Sequence, residues 1–261
     1  MKTIPERFLE QGARRGDNPA YHDRVNGVWE ATSWKDYVAQ GRAVAKALIA
    51  LGLEPGQRIC ILGSNRPEWV LADIGAMLVG SVPAGIYSTC SPEEVGYIIR
   101  HAEAPVVFVE DEAQFAKVQA ERDSLPDLKR VVLFRGASVE DELGIGWDEF
   151  CEGGSSIADE VLESRVEGLQ LDEAATFIYT SGTTGPPKAV MLSHRNLAWT
   201  ADIASEIVSF SHDDCSLSYL PLSHIAEQMF SIHAPVNVGS QIYFFSDEKE
   251  KFAELKQEYS E

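Results

Sequence analysis

The chain alternates short apolar runs with segments whose apolar residues recur every three or four positions. Arg58–Leu62 (RICIL) and residues 82–87, 105–109 (PVVFV) and 131–134 (VVLF) carry almost no polar alternate. Strands buried on both faces of a parallel sheet read this way. Helical segments lie between them. Ser33 predicts the cap of a helix running to about Leu51, with Asp36 at the third helical position and Gly52 just past the end. Residues 68–79 predict a second helix after a Gly-Ser-Asn-Arg-Pro turn. Ser91-Pro92-Glu93-Glu94 predicts another helix start, with a cap, a proline at the first position and acids in the first turn. Strands spaced by helices imply βαβ crossovers. The predicted fold is α/β, a largely parallel sheet with helices on both faces.

The pattern weakens over 144–171, around Gly153-Gly154-Ser155-Ser156, which reads as a connecting region. Beyond it, 176–180 and 189–193 predict two strands flanking a polar loop. A helix over 196–208, a run at 216–220, a short helix after His224 and a strand over 241–245 follow. In 246–261, Phe252, Leu255 and Tyr259 sit at helical spacing and predict an amphipathic end helix or cap. The expected division is an α/β unit over 1–150 with an N-terminal extension, a connector over 151–170, and a hairpin with the start of a second subdomain over 171–245. No internal repeat is visible.

Charge sharpens this picture. The chain of 261 residues has 22 basic and 41 acidic residues, a net charge of −19. Residues 110–173 alone hold 18 acids against 6 bases. A uniformly acidic surface repels phosphate backbones, so nucleic acid is not an expected partner. An anionic ligand must be met by a local device. Cys60, Cys90, Cys151 and Cys215 lie 30 or more residues apart, with no C-x-x-C pair, and are expected as buried free thiols rather than disulfides. No apolar stretch is long enough to span a bilayer, and the start lacks a signal-peptide core, so a cytoplasmic location is expected.

The local device is Tyr179-Thr180-Ser181-Gly182-Thr183-Thr184-Gly185-Pro186-Pro187-Lys188. Its glycines let the backbone approach an anion, its hydroxyls can donate to phosphate oxygens or ligate Mg²⁺, and Lys188 supplies positive charge. Between Ala174 and Phe245 the only bases besides histidines are Lys188 and Arg195. This is not a Walker A loop, whose lysine opens directly into a helix. Lys188 follows two prolines and precedes a strand-like run. An ordinary hairpin turn needs no such series of hydroxyls.

Tyr179 to Val190 closely resembles the phosphate-binding signature of the AMP-forming acyl-CoA synthetases, within the wider adenylate-forming family. Tyr219-Leu220-Pro221-Leu222-Ser223-His224-Ile225-Ala226-Glu227 resembles that family's next signature. Gly63-Ser64-Asn65-Arg66-Pro67-Glu68-Trp69 and the segment 80–92 also resemble it, with wording nearest the long-chain and very-long-chain fatty acyl branch. The likeness runs from about Ile4 to Phe245. It implies that the chain forms part of the large N-terminal domain of the adenylate-forming fold. It also implies a reaction: ATP and a fatty acid give acyl-adenylate and pyrophosphate, and the thiol of CoA then displaces AMP. By the same resemblance Thr180, Ser181, Gly182, Thr183, Thr184, Gly185 and Lys188 hold the β- and γ-phosphates. Thr180 is the implied Mg²⁺ contact, and His224 lies beside the acyl carboxylate and α-phosphate. Read alone, His224 is only a histidine at a helix start.

The family's later Y-G-x-T-E-like block, its T-G-D block, the hinge and the C-terminal domain with its lysine are absent from these 261 residues. The expectation is therefore the first half of a fatty acid–CoA ligase, inactive alone. A nucleotide- or phosphate-binding module without turnover, or an engineered scaffold, is the alternative. Peripheral membrane contact would suit a lipid substrate, although no basic amphipathic helix is visible. Trp34 and Trp69 fall on apolar helical faces and read as core. His194 and Arg195 open a helix, either backing the loop or lying at the surface. His101, His212 and His233 have no partners at metal-ligand spacing.

Overall fold

The computed structural model of the chain describes residues 1–182 and 185–245, and at Ser181 and Gly182 only the backbone. The amphipathic segment expected at 246–261 and residues Thr183 and Thr184 lie outside the described residues. Helix α1 (Ile4–Arg15) opens on a capping box between Thr3 and Glu6. Strands β1 (Pro19–Val25) and β2 (Val28–Ser33) form a hairpin over Asn26 and Gly27, both at positive φ. Two such residues twist the turn to match the strands. Then come α2 (Trp34–Ala50), β3 (Arg58–Leu62), α3 (Pro67–Leu78), β4 (Val82–Ile86), α4 (Pro92–Ala102), β5 (Val106–Val109), α5 (Glu112–Ala120) and β6 (Arg130–Leu133). The Ser33 and Ser91 caps both form, each hydroxyl accepting from the backbone N–H three residues on.

Residues 144–171, expected as irregular connection, instead form β7 (Gly144–Gly146), α6 (Trp147–Gly153) and α7 (Asp159–Glu167). Trp147, Phe150 and Leu162 are their buried contacts, too few to stand out as a periodic pattern. The remainder comprises β8 (Ala174–Gly182), β9 (Gly185–Ser193), α8 (His194–Ile207), β10 (Cys215–Ser218), α9 (Ile225–Gln228), a π-helical turn (Met229–His233), α10 (Ala234–Val238) and β11 (Gln241–Phe244). The π turn has a local cause. Pro235 has no N–H to offer the Ser231 carbonyl, so the normal ladder is interrupted.

Seven strands form one sheet in the order β7-β6-β5-β3-β4-β8-β9, parallel except for the β8–β9 pair. Alternate residues feed opposite faces. Ile59, Ile61, Val106 and Phe108 join the core under α2, α3 and α6, whereas Cys60, Leu62, Val107 and Val109 join a second core under α4 and α5. Trp34 and Trp69 are fully buried in the first core, as the sequence predicts. A second sheet has the order β10-β11-β1-β2. It rests on the first core through Tyr21, whose ring lies 5.1 Å from Tyr37 of α2 and 5.9 Å from Phe244. Of the four cysteines only Cys60 is buried; Cys90 and Cys151 are half-buried and Cys215 is exposed. The expectation of four buried thiols therefore fails for three: Cys90 lies in the loop before α4, Cys151 on α6 and Cys215 at the start of the edge strand β10.

Candidate functional site

Strands β3, β4 and β8 run parallel, so their carboxyl ends meet at one edge of the sheet. Open α/β sheets bind ligands at that edge. Ala84 and Gly85 pair with Phe177 and Ile178, and the Thr176 hydroxyl donates to the Pro83 carbonyl at 3.1 Å, which fixes β8 against β4. The polar run then continues as ladder further than expected. Thr180 pairs with Lys188 and Gly182 with Gly185, with an irregularity between Thr180 and Gly182. Six residues read as loop thus belong to a narrow hairpin, because β8 and β9 each extend past their apolar part. Thr180 and Lys188 are both exposed.

Tyr179, the first residue of the run, points the other way. It is buried, and its hydroxyl meets His101 Nδ1 of α4 at 2.9 Å, with Tyr97 stacked on the histidine at 5.6 Å. Burial raises the Tyr179 pKa, so the phenol stays protonated at neutral pH. His101 thus has a partner that sequence spacing could not supply.

His224 ends the turn that follows β10. Its Nδ1 accepts from the Ala226 N–H at 3.1 Å, at the start of α9. The neutral ring therefore carries its proton on Nε2, a tautomer assigned from this bond. The ring is exposed. Behind it the turn is pinned. Asn65, just past β3, donates from Nδ2 to Ser218 Oγ (2.9 Å) and to the Leu220 carbonyl (2.6 Å), and accepts from the Leu222 N–H (3.1 Å). Glu227 accepts from Ser218 Oγ and Tyr219 N–H (both 3.0 Å), Leu220 N–H (2.9 Å) and Ser231 Oγ (2.5 Å). Gly85 leaves room for the turn: a Cβ there would sit 2.8 Å from Ser223 Cα.

The hairpin and the His224 turn line a cavity of about 480 Å³. Thr180 and Pro187 form one wall, His224 and Ile225 another, and Cys90 and Glu94 a third. Thr180 and His224 are thus brought together. Lys188 follows Pro187 on β9, and Gly185 lies nearer the hairpin tip. Burial, and then the Glu94 charge, raise the Cys90 thiol pKa, so this cysteine is no ready nucleophile. His194 is buried rather than backing the hairpin, and desolvation lowers its pKa to about 4. Arg195 is held by both carboxylate oxygens of exposed Asp172, at 2.7 and 3.0 Å.

Mg²⁺ prefers carboxylates together with substrate phosphates. Among the described residues no group of three or more His, Cys, Asp or Glu is placed to hold a metal ion. Thr180 offers one neutral oxygen, so the described residues do not make a metal site of their own.

A family model described as AMP-binding enzyme matches residues 8–260. The long-chain-fatty-acid–CoA ligase ACSBG2 of Homo sapiens is 40% identical over 244 residues, covering 93% of this chain and 37% of the relative. ACSBG1 of Macaca fascicularis, also named a long-chain-fatty-acid–CoA ligase, is 34% identical over 247 residues, covering 93% and 34%. The chain therefore spans little more than a third of the length of these relatives. Among solved structures, the anthranilate CoA ligase AuaEII in complex with anthranoyl-AMP superposes with a TM-score of 0.81 at 19% identity, over 97% of this chain and 46% of that one. The N-terminal domain of FACL13 from Mycobacterium tuberculosis gives 0.77 at 21% identity, over 97% and 60%. At these identities the superpositions speak for the fold.

Proposed function

The chain belongs to the AMP-binding enzyme family, and from that premise we propose that it is the N-terminal part of a fatty acid–CoA ligase. The intact ligase joins the fatty acid carboxylate to the α-phosphate of ATP, releasing pyrophosphate. The CoA sulfur then attacks the acyl carbon, and AMP leaves with the former carboxylate oxygen. The observation that carries this reading is the shared cavity of Thr180 and His224 at the carboxyl edge of the sheet.

In this reading Thr180, Ser181, Gly182, Thr183, Thr184, Gly185 and Lys188 hold the β- and γ-phosphates. Lys188 offsets charge when carboxylate and triphosphate approach each other. His224 donates its Nε2–H to the carboxylate or α-phosphate without adding a full charge. Thr180 would offer one hydroxyl to a Mg²⁺ carried in by ATP, and the ion would supply neutralisation of phosphate charge. In the same reading residues 171–245 carry the hairpin, which completes the sheet of the 1–150 unit, and begin a second subdomain whose sheet β1 and β2 extend, with 151–170 as a largely helical join. A cytoplasmic setting with peripheral membrane contact suits a fatty acid substrate; no helix among the described residues is long and apolar enough to cross a membrane.

With about a third of the relatives' length, the chain alone is expected to carry out little or no adenylation. Pyrophosphate exchange with ATP and palmitate tests this, and robust exchange would overturn it. Titration of Mg·ATP is the companion measurement. Binding by wild type that is lost in Lys188→Ala supports the phosphate site; equal or absent binding in both favours a scaffold without one.

A further inference from the structure

The segment Gly63-Ser64-Asn65-Arg66-Pro67 is the one sequence motif left without a role by the cavity. Asn65 is 2% exposed and Glu227 3%, and both face the turn that delivers His224. Their bonds form one directional chain: Asn65 Nδ2–H to Ser218 Oγ, and Ser218 Oγ–H to Glu227 Oε1. Each also takes hold of the turn's backbone, Asn65 at Leu220 and Leu222, Glu227 at Tyr219 and Leu220. Gln228 is a third residue that holds the same turn, donating to the Leu222 carbonyl at 3.0 Å. The turn would otherwise be a short irregular link, and irregular links are the least stable parts of a fold.

We infer that Asn65 and Glu227 are positioning residues that fix which ring nitrogen His224 presents to the cavity. The link is stereochemical. The His224 Nδ1 bond to Ala226 N–H exists only while the 218–224 turn enters α9 at its present angle. Two further contacts depend on the same angle, the His224 N–H to the Pro221 carbonyl at 2.9 Å and the Glu227 N–H to the His224 carbonyl at 3.0 Å. Asn65 supplies both a donor and an acceptor, which neither Asp nor Ala can do. Glu227 receives four donors, and a Gln amide would set an N–H against one of them. A polar network of this kind specifies one geometry when every member is satisfied. The inference deepens the role proposed for His224 and rests on that reading for its consequence, though not for its geometry.

The test is a long-range ¹H–¹⁵N spectrum of the full chain with ¹⁵N-histidine, the His224 signal being assigned by its loss in His224→Gln. Wild type is expected to show the Nε2–H pattern alone. Asn65→Ala and Glu227→Gln are expected to mix in the other tautomer, while exposed His212 stays as it was. Asn65→Asp keeps the side chain's shape and carries the test if Asn65→Ala does not fold. Folded variants with an unchanged His224 spectrum would overturn the inference, even if they melt earlier, because a merely structural role would lower stability only. Binding of an alkyl ester of AMP then separates this inference from the functional reading. Asn65→Ala is expected to weaken it about tenfold in the presence of His224 and not in a His224→Ala background. Altered spectra with equal binding to wild type and His224→Ala would leave the positioning intact and sink the role proposed for His224.

Discussion

The hairpin arms that carry Thr180 and Lys188 are held by a backbone ladder and lie open to solvent, whereas the turn before His224 is held by three buried side chains, Asn65, Glu227 and Gln228. The two face each other across one cavity. The difference teaches that the part of a site with conspicuous composition is not the part whose shape is most heavily constrained. A ladder tolerates many side chains, so the hairpin is free to spend its residues on chemistry. The His224 turn depends on specific donors and acceptors, and its buried partners cannot be exchanged without leaving orphaned groups.

The largest expected effect tests this directly. Glu227→Ala leaves two backbone N–H groups and two hydroxyls without their acceptor, and should cost about 3 kcal/mol or more in urea unfolding. A cost below about 1 kcal/mol would mean that water enters and the turn is not pinned. Next comes Gly85→Ala, whose new Cβ meets the backbone of Ser223 and the ring of Trp69. Overpacking of this sort costs about 1–3 kcal/mol. It should also displace the His224 turn while leaving the hairpin amides unmoved in an amide-shift comparison.

Protons offer a gentler lever. His233 ends the π turn that follows Glu227; burial, and then the charge of His194, lower its pKa to about 3. His194 is lowered to about 4, chiefly by burial. Each contributes stability that is present above the ordinary value of 6.5 and lost as pH falls toward the folded value. Asp73, buried on α3, behaves oppositely. Burial raises its carboxyl pKa to about 8, so its contribution is present below the ordinary 3.8 and is lost as pH rises toward 8. Between about 4 and 6.5 the two histidines outweigh one carboxyl; above 6.5 Asp73 acts alone, at no more than about 1.4 kcal/mol per pH unit. Stability from these groups should therefore peak near 6.5, and Asp73→Asn should flatten the decline toward pH 8. A decline unchanged in that variant would assign it to other groups. The smallest effect belongs to Lys188→Ala, exposed on β9, which should change unfolding free energy by less than about 0.5 kcal/mol. A larger loss would show that the hairpin, too, leans on side chains.

The same contrast explains what could be read from the residues. Strands β3, β5 and β6 were legible because burial on both faces leaves an uninterrupted apolar run. The hydroxyl–glycine–lysine series and His224 stood out by composition. The β1–β2 hairpin did not, although Asn26-Gly27 is a strong turn signal, because residues such as His22, Asp23 and Arg24 blur its alternation. Helix α5 buries only Phe115 and Val118, too little for a clear period. Asn65 and Glu227 lie inside the 63–69 and 219–227 motifs yet give no local sign of their task. Asn65 acts on residues more than 150 positions away, and no sequence window spans that distance. The Tyr179–His101 contact was hidden for the same reason.

One pairing also sets an order of events. Strand β1 lies between β2 and β11, with Tyr21 opposite Ile242. The β1–β2 hairpin therefore waits for a partner made some 220 residues later, and at roughly 5–20 residues per second that interval is on the order of tens of seconds during synthesis. Contacts so far apart in sequence form late. The second sheet, and the β10 strand from which the His224 turn departs, close only after the seven-stranded sheet can already stand. Until then β1 has an unsatisfied edge, the stage of this protein's life at which a chaperone has most to shield.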